Sequence, residues 1–454
     1  MHYLNTIVRS MALAALLVPG RSMGQGQQGS GSPYSAYGLG EFVGTIPVAQ
    51  AAMGGLGAAV VDPASTVTTN PASYPTLFRT TFEMGLGVRS STFATAGTKS
   101  NGRRTDLMGL SFGVPFGNGR WGLGLVVRPV TKVNYRLQET QAIPNTAEHA
   151  TFTYTGEGGL NQAMLGAGVV LSQKHDSLVN GHRLSVGANV GYLFGNLETS
   201  GTATFPSGQG FYATRVTSSL IVRDPTLDLG VQYQGDLRKR RTKGDDGLYF
   251  LAGVSAELPV RVSARRTDVV NTYGYNSSGV EVPLDTTFHI GNDAGAWGLP
   301  LGLNAGFTVF NDHWILGAEY RQRDWSSISV SDIRYGPSGE LAMQHTIILG
   351  GAYRVSTESI GPLFKRATYR AGGRLTNDHV KVGGTRIEDR ALTVGVSLPL
   401  MANTTRSRLN IGGEFGERGT LENGLLRERY ATLLVGITIT PDLREGWFKK
   451  RRID

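Results

Sequence analysis

Groups able to do chemistry are thinly spread in this sequence. Eight His are scattered along 454 residues. No His-Glu-x-x-His pair occurs and no His/Asp cluster has ligand spacing, so nothing indicates a metal site. His313 and His345 stand near the ends of extended runs, where a loop or interface role is expected ahead of a general base. There is no Gly-x-Ser-x-Gly elbow, and a hydrolase would have to bring Ser and His together from separate segments. Gly-x-Gly strings such as Gly122-Leu123-Gly124 lie inside extended runs with no following helix, the wrong setting for a phosphate loop. Cys is absent, which removes disulfides, thiolate metal sites and a lipoprotein anchor. The expectation is a chain that is not an enzyme and has no cofactor and no metal. Charge is what remains. Glu83, Arg89, Arg128, Glu319, Arg321 and Arg370 fall on the polar side of alternating runs, where opposite charges can pair across an enclosed space. Such pairs hold a plug or stiffen a wall; selecting a charged solute is the sharper alternative.

The elements that must position these charges alternate every second residue. Phe82, Met84, Leu86 and Val88 oppose Glu83, Gly85, Gly87 and Arg89, and Leu184, Val186, Ala188 and Val190 oppose Ser185, Gly187, Asn189 and Gly191. Near the end, Ala431, Leu433, Val435, Ile437 and Ile439 oppose Thr432, Gly436, Thr438 and Thr440, broken only by Leu434. Helical spacing is nearly absent between 80 and 440. The second face is rich in Gly, Ser and Thr, and Gly makes up 63 of 454 residues without a Gly-X-Y period. That face suits a narrow polar lumen better than a solvated surface. About fourteen runs are counted, near 80–89, 106–116, 121–136, 161–173, 183–195, 211–234, 248–264, 299–310, 313–323, 341–355, 367–376, 390–400, 406–417 and 429–440. Gaps after even-numbered runs are short, as at Gly117-Asn118-Gly119 and Asn311-Asp312, pairs that accept the positive φ of tight hairpins. Gaps after odd-numbered runs are longer, notably 137–160 and 265–298. A secreted sandwich has no reason to alternate loop length; a barrel threaded from the periplasm does.

The leader agrees with export. His2 and Arg9 precede a short apolar run at Met11–Pro19, and Ser22-Met23-Gly24 offers small residues before Gln25, the layout of a signal peptide. No later stretch of about 18 apolar residues exists to form a transmembrane helix. The resulting division is 1–24 signal peptide, 25–79 hatch or plug, 80–440 transmembrane barrel and 441–454 basic periplasmic tail. The fold expected is all-β, an antiparallel transmembrane β-barrel of about 14 strands with an N-terminal hatch. A net charge of +9 concentrates partly in Arg238-Lys239-Arg240-Arg241-Thr242-Lys243 and Lys449-Lys450-Arg451-Arg452. In an exported chain these read as solvated charge at the membrane edge, or as contacts with anionic headgroups or an acidic partner; nucleic acid is not expected.

Motif order then points to a family. Ser32-Pro33-Tyr34, Tyr37-Gly38-Leu39-Gly40, Ala52-Met53-Gly54-Gly55-Leu56-Gly57-Ala58-Ala59, Asp62-Pro63 and Asn70-Pro71-Ala72 follow one another before the first barrel run. This order resembles the hatch of the long-chain fatty-acid transporter (FadL) family. Gly156-Glu157-Gly158-Gly159-Leu160-Asn161, Gly413-Glu414-Phe415-Gly416-Glu417-Arg418-Gly419-Thr420 and Trp447-Phe448-Lys449-Lys450 resemble its Bacteroidetes-type branch. The tail after the last strand departs from the usual barrel ending. The resemblance implies an outer-membrane protein of a bacterial cell, contacting membrane lipid. It further implies passive uptake of small hydrophobic ligands such as fatty acids through a hatch-gated barrel with lateral exit. Gly54, Gly55, Gly57, Asn70, Pro71 and Ala72 would form the hatch and gate. The alternative is a non-transporting barrel serving as a subunit of an outer-membrane assembly or secretion complex, with an outer-membrane or periplasmic protein partner.

Overall fold

The computed structural model describes residues 31–441, apart from 44–46, 144–146, 177–178, 207–210, 240–245, 277, 279, 331–338, 357–360 and 401–406. The leader, most of the first basic run and the C-terminal tail lie outside the described residues. Among the described residues, helix is limited to short pieces such as Val48–Ala51 and Pro71–Thr76.

Fourteen strands form the wall: β1 (Thr81–Ala94), β2 (Lys99–Phe116), β3 (Trp121–Pro129), β4 (His149–Asp176), β5 (Val179–Thr204), β6 (Ala213–Arg238), β7 (Leu248–Glu257), β8 (Gly302–Phe310), β9 (Trp314–Asp324), β10 (Met343–Arg354), β11 (Thr368–Val382), β12 (Thr385–Pro399), β13 (Arg408–Gly419) and β14 (Arg427–Ile439). Each pairs antiparallel with the next, and β14 returns to β1 from Phe82↔Ile439 to Ala94↔Arg427, so the sheet closes into a barrel. The period-two pattern decides what faces where. On β14, Glu428, Tyr430, Thr432 and Leu434 are buried, while Arg429, Ala431, Leu433 and Val435 are exposed. Leu316, Leu349, Leu392 and Phe415 point outward, 57% to 70% exposed, which suits hydrocarbon surroundings and not water. Trp314, Tyr353 and Tyr369 share one register row at the end of the short turns, an aromatic anchor at the membrane boundary. The tight turn after β2 has Gly117, Asn118 and Gly119 all at φ between 55° and 78°, as the sequence requires of a short hairpin connection.

The long connections differ from expectation. The run at 121–136 breaks at Pro129, and its second half becomes a separate strand, Thr131–Ala142, laddered onto the outer part of β4. The run at 248–264 likewise breaks after Glu257 into Val260–Tyr275, which pairs with the outer part of β6 and with Glu281–Leu299. Segments 137–160 and 265–298 are thus mostly strand. Strands β4, β5 and β6 run 28, 26 and 26 residues, far beyond the roughly 10 needed to cross a bilayer. Their projecting ends offer edges on which the next segments pair. The count of fourteen stands because each run still supplies one wall strand.

Candidate functional site: the plugged lumen

Residues 48–77 travel round the inside of the wall. The bare faces of wall glycines accept them: Val48 lies against Gly436 of β14, Ala52 against Gly395 of β12, Met53 against Gly372 and Gly350 of β11 and β10, and Leu56 against Gly317 of β9. Ala58 and Ala59 meet Gly253 and Gly306 of β7 and β8. After a crossing through the lumen, Asn70 meets Gly230 of β6, Pro71 meets Gly187 and Gly168 of β5 and β4, Tyr74 meets Gly124 of β3, and Leu77 meets Gly113 of β2. A Cβ on Gly372 would come within 2.7 Å of Met53 O, so hatch backbone and wall are in direct contact. Strands β1 and β13 complete the circuit through Glu83 and Arg408.

Polar side chains of the wall then satisfy the hatch's buried amides. Glu319 accepts from the amides of Gly57 and Ala58 at 2.6 and 2.8 Å. Glu83 accepts from the Thr66 amide at 2.7 Å and from the hydroxyls of Ser65 and Thr438. Thr393 accepts from the Gly54 amide at 2.8 Å. Asn70 caps its own turn by accepting from the Ala72 amide, and its Nδ2 donates to Ala58 O at 2.8 Å. Asp62 pairs with Arg408 at 3.1 Å and Arg370 at 3.5 Å. Burial pushes the Asp62 carboxyl up, but Arg408 and Arg370 outweigh it and bring it to about 2. Burial pushes the Tyr74 phenol up, so it stays a donor to Asn189, 3.0 Å away.

A second layer lies outward of the hatch. The segment 32–43 crosses the mouth, and Glu41 sits among Arg89 at 2.8 Å, Arg104 at 2.5 Å and Arg418 at 3.8 Å. Burial acts against the charged form of Glu41, but Arg104 and Arg89 overcome it and hold the carboxyl well below its usual range. Arg374 joins Glu414 at 2.8 Å and Asp389 at 3.3 Å. Between the layers is a cavity of about 300 Å³ lined by charged groups, among them Glu41, Arg89, Arg128, Arg321, Arg374 and Glu414. Beside it, an apolar cluster of Leu39, Leu160, Leu193, Val222, Trp297 and Trp325 fills the mouth.

One stretch of wall is thin. Among the described residues, Lys99–Leu107 of β2 ladder only with β1, because β3 ends at Pro129 and the following strand turns inward to pair with Glu41–Phe42. Ion pairs cross this window from Lys132 to Asp106 and from Arg104 to Glu41, and Arg104 also pairs with Asp106 along β2 at 2.9 Å.

The residues singled out from the sequence are brought together in part. Gly54, Gly55, Gly57, Asn70, Pro71 and Ala72 all lie in the hatch, with Gly54 and Gly55 at positive φ (75° and 99°). Arg321 donates to Gly55 O and pairs with Glu319 at 2.6 Å. Glu83, Glu319 and Arg370 hold the hatch from the wall; Arg89 belongs to the outer layer. Arg128 bonds Gln162 at 2.9 Å and approaches Glu257 at 3.6 Å. His345 stacks on Tyr320 outside the wall, and His313 lies in the turn after β8. Sequence reasoning missed Glu41, Asp62, Arg104, Arg374, Glu414 and Arg418. The period-two parity of Arg374, Glu414 and Arg418 was a usable signal; for Glu41 and Asp62, outside any strand pattern, there was none.

A family model described as BamG matches residues 7–454. No curated protein matches the sequence. Among solved structures, the chain is similar to the Ralstonia pickettii toluene transporter TbuX (16% identity, TM-score 0.54, covering 88% of this chain and 99% of that one). It is similar to the CymD monoaromatic hydrocarbon channel (14%, TM-score 0.52, 90% and 99%) and to a Pseudomonas aeruginosa FadL homologue (12%, TM-score 0.50, 88% and 99%). At these identities the likeness is one of fold, that of FadL-type outer-membrane barrels.

Proposed function

This chain belongs to the BamG family, and on that footing we propose that it is a sealed barrel of the bacterial outer membrane, acting as a non-conducting subunit of an outer-membrane assembly or secretion complex. The observation that carries this reading is the double closure of the lumen. The hatch is in contact with every wall strand, and its amides are bonded to buried carboxylates that would be stranded if it left. Removing one partner of such a buried set costs about 3–5 kcal/mol, and here several would break at once. The cavity outward of the hatch is small, about 300 Å³, and paired Glu and Arg side chains stand among the apolar ones that line it. A conduit is therefore a poor use of this lumen, and the outer surfaces are left to bind partners. The Bacteroidetes-type resemblance of the motifs at 156–161 and 413–420 is part of the same proposal.

The second reading is passive uptake of small hydrophobic molecules with lateral exit. It is supported by the wall window beside Lys99–Leu107 and by likeness in fold to proteins titled toluene transporter and monoaromatic hydrocarbon channel. The ion pairs across the window weigh against it. Reconstitution separates the two. Liposomes carrying the full chain should take up labelled fatty acid or toluene no faster than empty ones, and gently solubilised native membranes should yield the chain with a stoichiometric protein partner. Saturable uptake by a chain purified alone would overturn the subunit reading.

A further inference from the structure

Outside the bilayer the sheet continues through Thr131–Ala142, the outer parts of β4, β5 and β6, Val260–Tyr275 and Glu281–Leu299. Register carries one row across all six strands: Leu137↔Tyr154↔Gly201↔Val216↔Val270↔Phe288. Directly opposed residues of an antiparallel ladder share a face. Tyr154, Gly201 and Val216 each stand fourteen residues from a hatch-contacting glycine of the same strand, Gly168, Gly187 and Gly230. The step is even, so the row is on the lumen-side face. It lies about 45 Å along the strand from the hatch, beyond an apolar band about 25 Å tall. The neighbouring row on the opposite face is polar: Gln138, Thr153, Thr202, Arg215, Asn271 and Thr286. The projecting sheet thus turns one apolar row toward the barrel axis, with Thr199, Ser218 and Asp268 in the next row of that face on the side of the hatch.

Lower on that face the chain covers itself, since Leu39 and Trp325 bury Leu160, Leu193, Val222 and Trp297. Higher up the described residues leave the row open: Leu137, Tyr154, Val216 and Phe288 are 40% to 48% exposed. Four large apolar side chains held out in water in one row mark an interaction site.

We infer that this open face docks an extracellular stretch of another protein, apolar at its centre and basic at its flanks; the inference rests on the subunit reading. Breadth favours a polypeptide. Six strands span about 24 Å, more than a small ligand covers, and an open face does not enclose one as a pocket does. The basic flanks follow from the next row outward, which runs Glu139↔Phe152↔Ala203↔Thr214↔Thr272↔Asp285. Its two ends are exposed carboxylates, and neither has an ion-pair partner among the described residues. The segment Gln25-Gly26-Gln27-Gln28-Gly29-Ser30 has no apolar side chain to offer, and a second copy would bring carboxylates where cations are needed.

The test places a photo-crosslinking residue at Val216, or at Thr217 on the opposite face, in the full chain expressed in its own cells. Val216 should cross-link to a polypeptide whose mapped segment is apolar with Lys or Arg on both sides, and Thr217 should give background only. Glu139→Lys combined with Asp285→Lys should lower the Val216 yield at least about three-fold, the scale of two exposed ion pairs, with heat-modifiable migration unchanged. Equal yields at both positions, or cross-links only to lipid, a small molecule or a second copy, overturn the docking face. So does a stoichiometric partner that co-purifies without any Val216 cross-link, although the subunit reading then survives. Absence of any stoichiometric partner overturns both.

Discussion

The carboxylate of Glu319, on β9, accepts a hydrogen bond of 2.6 Å from the backbone amide of Gly57 in the hatch, and a second from Ala58. Two consecutive amides turned toward one wall oxygen lose their acceptor together when that carboxylate is removed, and a buried donor left unbonded is costly. The Glu319→Ala variant is expected to loosen this part of the hatch by about 3 kcal/mol. Amide exchange at Gly57 and Ala58 should accelerate by a factor of roughly 100, while Glu319→Gln, which keeps an acceptor, shows a smaller change.

Gly372 and its neighbour Gly373 face opposite sides of β11. A Cβ on Gly372 would fall 2.7 Å from Met53 O, whereas one on Gly373 meets nothing closer than 3.3 Å. Gly372→Leu should push the hatch off the wall and give ion conductance in planar bilayers, and Gly373→Leu should leave the barrel silent. Equal conductance from the two would contradict the close contact described for this strand.

Asp62 supplies a pH dependence. Burial opposes its charge, Arg408 and Arg370 favour it, and the folded carboxyl lies at about 2, below the ordinary value near 3.9. A depressed carboxylate contributes stability that is whole above its unfolded pKa and lost as pH falls through the folded one. The thermal midpoint should be insensitive to this group from pH 7 to about 5, and should decline from about pH 4 to 2. Asp62→Asn should be less stable at neutral pH and should lack that part of the acid decline.

Glu41 holds three arginines from within segment 32–43. Glu41→Ala leaves Arg89 and Arg104 short of an anion at the mouth, at a cost of about 3 kcal/mol. Limited proteolysis should then cut within 32–43 at least ten-fold faster, with β1 to β14 still resistant. Unchanged cleavage would show that the apolar contacts of Leu39 and Phe42 hold the segment unaided.

Much of the wall was legible in the sequence because pleating is local. Each strand announces itself by alternation, and short turns such as Gly117-Asn118-Gly119 set which end is which. Even the exceptions carried information. Leu434 breaks the polar face of the last run because it is buried against Val48, Ala51 and Met108 of hatch and wall. Ile348 faces the lumen for the same reason and packs on Met53 and Leu56. The glycine-rich inner face read as a narrow lumen; that its bare positions trace the hatch all the way round could not be read. The six charges identified by parity are inward, but their partners were out of reach. Glu41 meets Arg418 across 377 positions of sequence, and only closure of β14 onto β1, in a register where a one-residue slip would turn every side chain to the other face, brings them together. Alternation and turn chemistry, set by neighbours in the chain, thus specified the barrel; ion pairing, hatch contact and the open apolar row depend on register between distant strands, and tertiary structure alone decided them.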